Sequence, residues 1–140
     1  MKTKKKSSAA RKISGAKPAK SKKDFPAVFE ALRKILATYE KHLRVIRYKP
    51  EFYYLETSVA GPNGKPLHFG ATRLGKAYVS FYLMPVYMNP DLLKGMSAEL
   101  KKRKQGKSCF NFTSIEPELF RELAALTRTG FEDYRKMKLV

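Results

Sequence analysis

Apolar positions early in the chain recur with helical spacing: Phe25, Phe29, Leu32, Leu36, Tyr39, Leu43 and Ile46. Their separations alternate between four and three residues, which lays one continuous stripe along a helix. Asp24 stands ahead of the stripe as an N-cap, and Pro26 suits a first turn. Pro50 disfavours helix at the residue before it. The pattern therefore predicts one long helix over Phe25–Tyr48. A three-heptad coiled coil shares the spacing, but the mixed aromatics favour a core-facing helix.

The period then changes to two. Glu51–Ala60 is aromatic and β-branched, with Tyr53, Leu55, Thr57 and Val59 on one face. Asn63-Gly64 within a Gly- and Pro-rich segment is a strong hairpin signal, and Leu67–Leu74 is the returning strand. Gly75-Lys76 turns into Ala77–Met84, where Val79, Phe81 and Leu83 face opposite to Tyr78, Ser80 and Tyr82. Pro85 ends that strand. Two short helices are expected at Pro90–Leu93 and Ser97–Lys104, the second with Ser97 as N-cap. Ser108–Thr113 is a fourth strand with Phe110 and Phe112 inward. Glu116–Lys136 is a closing helix whose stripe runs through Phe120, Leu123, Thr127, Phe131 and Tyr134. The expected fold is α+β: an antiparallel four-stranded sheet packed with two long helices, in the order α-β-β-β-α-α-β-α.

Charge separates the chain into two parts. Net charge is +18, and residues 1–23 carry ten Lys or Arg with no acid. Residues 24–140 carry twenty basic and twelve acidic side chains, a net +8. The leading segment is Lys, Ser and Ala with Gly15 and Pro18, too poor in apolar side chains to offset the entropy of ordering it. The reading is a disordered basic tail (1–23) before one domain (24–140). Such a tail suits nucleic acid or another polyanion, bound weakly and without sequence specificity; the plainer alternative is a solubilising extension. The longest uncharged apolar stretch, around Ala77–Asn89, is interrupted by Pro85 and too short to span a bilayer. No apolar secretory leader is visible, so a cytoplasmic location is expected.

Candidate chemistry is sparse. Lys101, Lys102, Arg103, Lys104 and Lys107 form a candidate anion-binding group; the alternative is a solvated helix end complementing its own dipole. Gly106-Lys107-Ser108 resembles the end of a phosphate-binding loop, but Lys101 stands where that pattern needs its first Gly. Cys109, the one cysteine, has no assignable base among His42 and His68 and reads as structural. No catalytic residue, metal ligand or cofactor is assigned. The sheet face opposite the core is the candidate ligand face for a small ligand or a protein: Tyr54, Glu56, Tyr78, Ser80, Tyr82 and Asn111, beside Phe52 and Cys109. Either Phe69 and Arg73 or His68 and Thr72 join them, depending on register. The competing reading is that Pro90–Lys104 folds across this face as a second core layer.

Three blocks, Phe69–Tyr87, Leu100–Phe112 and Pro117–Lys136, together resemble the YdhG-like domain family, small bacterial proteins of mostly unknown function. The likeness covers about residues 25–136 and leaves out the basic tail. It implies a small α/β domain and supplies no catalytic residues. Some members are described as frataxin-like iron chaperones, which makes iron binding the alternative to a non-enzymatic polyanion-binding domain. Iron delivery calls for clustered carboxylates or imidazoles. Here Asp24, Glu30 and Glu40 are spread along the first predicted helix, and the acids of the last helix are interleaved with Arg121, Arg128, Arg135 and Lys136.

Overall fold

The computed structural model describes residues 24–140; the predicted basic tail lies outside the described residues. Helix α1 (Phe25–Ala37) is capped by Asp24, whose carboxylate accepts from the Ala27 N–H at 3.1 Å. It buries Val28, Phe29, Leu32 and Leu36. A short 3-10 turn, Glu40–His42, leads into β1 (Leu43–Lys49).

This overturns the expected helix over Phe25–Tyr48. The stripe is helical only as far as Leu36; Leu43 is buried from a strand instead. Residues 44–48, Arg-Val-Ile-Arg-Tyr, include β-branched Val45 and Ile46 and aromatic Tyr48 and pair antiparallel with β2 (Phe52–Ala60) through the tight turn at Pro50-Glu51. That pairing satisfies backbone groups that a solvent-exposed helix end would have left to water.

Hairpins then build the sheet outward. Strand β2 pairs with β3 (Pro66–Leu74) across a turn in which Gly64 has φ +81, a conformation that glycine adopts without strain. Strand β3 pairs with β4 (Val79–Leu83). Helix α2 (Met84–Met88) starts directly from β4 with Pro85 in its first turn, so the proline opens a helix as it ends the strand. A 3-10 turn at Pro90–Leu93 and helix α3 (Ala98–Arg103) follow, with Ser97 Oγ accepting from the Leu100 N–H at 3.1 Å. Two-residue β5 (Lys104–Gln105) and β6 (Cys109–Phe112) close the sheet, and α4 (Pro117–Lys136) returns across it.

The α+β class stands, but the expected sheet and order do not. Among the described residues, six antiparallel strands lie in the order β1-β2-β3-β4-β6-β5. The elements of this described part run α-β-β-β-β-α-α-β-β-α, and only α1 and α4 of these four helices are long. The two added strands are β1, hidden inside the apparent helical stripe, and β5, too short to carry a periodic pattern.

The core lies between one face of this sheet and the helices. Tyr53, Leu55, Phe69, Val79, Phe81, Leu83, Phe110 and Phe112 meet Leu32, Leu36, Leu123, Phe131 and Tyr134, all nearly or wholly buried. Gly70 lets α1 approach β3, because a Cβ there would sit 2.7 Å from Leu36 Cδ2. Segment 90–104 packs on the helix side: Leu100 is buried in the core, and the Glu122 carboxylate of α4 accepts from Ser97 N–H at 2.8 Å and Ser97 Oγ at 2.6 Å. It does not cover the other sheet face. Among the described residues no helix is long and apolar enough to cross a membrane.

Candidate functional site

Antiparallel pairing places directly opposed residues on the same side of a sheet, so the register assigns the outer face row by row. One row runs Lys49, Phe52, Arg73, Ser80, Asn111 across β1, β2, β3, β4 and β6. The next runs Arg47, Tyr54, Ala71, Tyr82, Cys109 and ends on Gln105 of β5. A third begins Arg44, Glu56, His68. Of the sequence-predicted ligand face, Tyr54, Glu56, Ser80, Tyr82 and Asn111 occupy these rows. Tyr78 precedes β4 and borders the face at its lower edge.

The choice left open for β3 resolves through an irregularity. Register shifts between Leu55 and Glu56, so that Leu55 faces Gly70 whereas Glu56 faces His68. Phe69 is the extra residue and turns into the core, 5.6 Å from the Tyr134 ring. His68 and Arg73 therefore share the outer face, while Thr72 is buried and donates to the Ser80 carbonyl at 2.8 Å. Neither of the two alternating readings was right throughout, because a bulge resets the alternation.

Two shallow hollows meet at Tyr78. One, of about 530 Å³, is lined by Arg73, Lys76, Tyr78, Ser80 and Tyr82 among others. The second, of about 500 Å³, is lined by Tyr78, Lys102, Arg103, Lys104, Gln105, Asn111 and Thr113. Part of the predicted anion-binding group thus borders part of the predicted ligand face, a juxtaposition that depends on β5 pairing with β6.

The five cations of that group have different surroundings. Lys101 is exposed. Lys102 pairs with Glu99 at 3.4 Å, three residues back on α3. Arg103 makes a two-pronged contact with Glu116 at 2.9 and 2.7 Å, and this hydrogen-bonded carboxylate raises the guanidinium pKa further. Lys104 donates to the Gly106 carbonyl at 2.5 Å. Lys107 lies over the Tyr87 ring at 5.8 Å, away from the second hollow's lining.

Polar groups on the outer face are tied together. Ser80 Oγ donates to Asn111 Oδ1 at 2.8 Å, and Asn111 Nδ2 donates to Gln105 Oε1 at 2.9 Å. Cys109 Sγ sits 3.4 Å from the same Asn111 oxygen, and burial pushes its thiol pKa up. A thiol that stays protonated is a poor nucleophile. The Tyr54 and His68 rings stack at 4.5 Å with 14° between planes. Burial pulls His68 down to about 4, and its Nε2 is buried without a hydrogen-bond partner. His42 packs elsewhere, against Phe131 at 5.4 Å.

Sequence reasoning missed Arg44, Arg47 and Lys49, which line the β1 side of the face; the helical stripe concealed the strand, and a register shift between Val45 and Arg47 brings all three to one side. Among the described residues no group of three or more His, Cys, Asp or Glu side chains is placed to hold a metal ion. No protein-family model, curated protein or solved structure significantly matches this chain.

Proposed function

We propose that this protein is a non-enzymatic binding domain for anionic polymers, nucleic acid or acidic protein, held weakly and without sequence specificity. The observation that carries the reading is charge. Residues 24–140 hold twenty basic side chains against twelve acidic ones, and residues 1–23 add ten more with no acid. Six ion pairs among the described residues engage Glu30, Glu56, Asp91, Glu99, Glu116 and Glu132. Most of the described cations are thus left facing solvent without an acidic partner. A field of this sign concentrates polyanions and hastens their encounter. The resemblance to YdhG-like domains implies a small α/β domain and supplies no catalytic residues; the iron-chaperone alternative finds no supporting donor cluster among the described residues.

The test is affinity against salt, for the full chain and for a variant with the ten Lys and Arg of residues 1–23 changed to Gln. Each phosphate neutralised on duplex DNA adds about 0.9 to the slope of log affinity against log salt. Equal slopes for the two proteins would remove the leading segment from the reading.

A further inference from the structure

We propose that the outer sheet face is a platform for single-stranded nucleic acid. Unpaired bases stack on Phe52, Tyr54 and Tyr82, and phosphates are held by Arg47, Lys49 and Arg73. This rests on the polyanion reading and names both the ligand class and the surface.

The helices and the core occupy the other side of the sheet, so Phe52, Tyr54 and Tyr82 are not needed to fill it. All three are partly exposed. Tyr54 and Tyr82 flank Ala71 in one row, roughly 10 Å apart at the usual strand spacing. Ala71 is only 2% exposed although it points outward, so larger side chains cover it, beside Phe52 and Tyr54 rings that lie 5.9 Å apart and form an aromatic floor. His68 extends that floor by stacking on Tyr54.

Cations border the aromatic strip. Arg47 and Lys49 lie opposite Tyr54 and Phe52 on β1, and Arg73 sits over the Phe52 ring at 5.9 Å. Lys76 lines the same hollow as Arg73, and Lys104 lines the second hollow beyond Tyr78. The carboxylate in these rows, Glu56, has Arg44 at 3.7 Å, so its charge is largely offset. Crossing from β1 to β6 spans about 19 Å, a length that suits roughly four nucleotides, the lower end for a comparable small domain.

A flat sheet offers no helix or ribbon to enter a duplex groove. Partly exposed rings flanked by positive charge instead suit bases freed from pairing, because every base has a face to stack. Stacking of this kind tolerates any base, and the Asn111 amide is partly committed to Ser80 and Gln105.

The experiment is fluorescence anisotropy with the full chain, using a single-stranded 12-mer RNA, the same sequence as a duplex, and polyphosphate as a base-free polyanion. The single strand should bind most tightly. Tyr54→Ser with Tyr82→Ser should weaken it roughly five- to 150-fold per ring and leave polyphosphate affinity unchanged. Tyr54→Phe with Tyr82→Phe keeps the rings and should retain binding. Should the Ser variant fail to fold, Arg47→Gln with Lys49→Gln reports instead, lowering the single-strand salt slope by about 0.7 for each phosphate no longer neutralised. Equal binding of single strand and polyphosphate, or a stronger response to acidic peptide or phosphatidylserine vesicles, overturns the platform while leaving the polyanion reading in place. No binding of any polyanion overturns both.

Discussion

Protonation of His68 should govern how this domain responds to mild acid. Its imidazole is stacked on Tyr54, its Nε2 is buried without a partner, and burial holds its pKa at about 4 against an ordinary 6.5. A depressed folded-state pKa means that the unfolded chain binds the proton first as pH falls. Stability from a neutral His68 is thus present above pH 6.5 and is lost progressively between 6.5 and 4. With those two values, linkage gives a loss of about 2 kcal/mol by pH 5 and about 3 kcal/mol by pH 4. His68→Phe keeps the stacking ring and removes both the titration and the unpartnered nitrogen, whose burial costs about 1–3 kcal/mol. Urea unfolding followed by far-UV circular dichroism, at pH 7, 6 and 5, measures the effect. The variant should match or exceed the native protein at pH 7, and its advantage should widen by about 2 kcal/mol at pH 5. A constant difference across that range would refute the claim that His68 is held neutral by burial, since every other titrating group is common to both proteins.

Tyr134→Phe removes a hydroxyl that donates to the His68 carbonyl at 2.8 Å and ties α4 to β3; a loss of about 1 kcal/mol, or about 5 °C in Tm, is expected by calorimetry. Glu122→Ala strips the carboxylate from Ser97 N–H and Oγ. It should cost about 1–2 kcal/mol and speed amide exchange at Leu100, with unchanged exchange counting against the cap. Glu116→Gln releases Arg103 beside the second hollow. Duplex DNA should then bind more tightly at low salt, with a slope steeper by up to about 0.9; an unaltered slope would show that Arg103 does not reach a phosphate.

How much of the candidate site was legible depended on whether local pattern and long-range pairing agreed. On β4 and β6 they did. Alternation alone put Val79, Phe81, Phe110 and Phe112 inward and Ser80, Tyr82 and Asn111 outward, because a residue pair two apart in a regular strand always shares a face. The same logic failed on β3, where one extra residue at Phe69 lets His68 and Arg73 emerge together. A bulge answers to the partner strand and leaves no mark in its own sequence. It failed more completely over residues 38–48. Tyr39 and Leu43 sit at spacings that fit a helix and a strand equally, and the outcome rested on β2 being available as a partner.

The amino-acid sequence by itself determined the α+β class, the two long amphipathic helices in outline, the Asn63-Gly64 hairpin and the excess of positive charge, since each follows from local conformational preference or simple counting. Tertiary structure alone decided that β1 and β5 exist, that segment 90–104 packs against α4, and that Arg47, Lys49 and Arg73 border the same aromatic surface. Those outcomes depend on which backbone groups find partners far away along the chain, and a pairing energy shared between distant segments is written in neither of them singly.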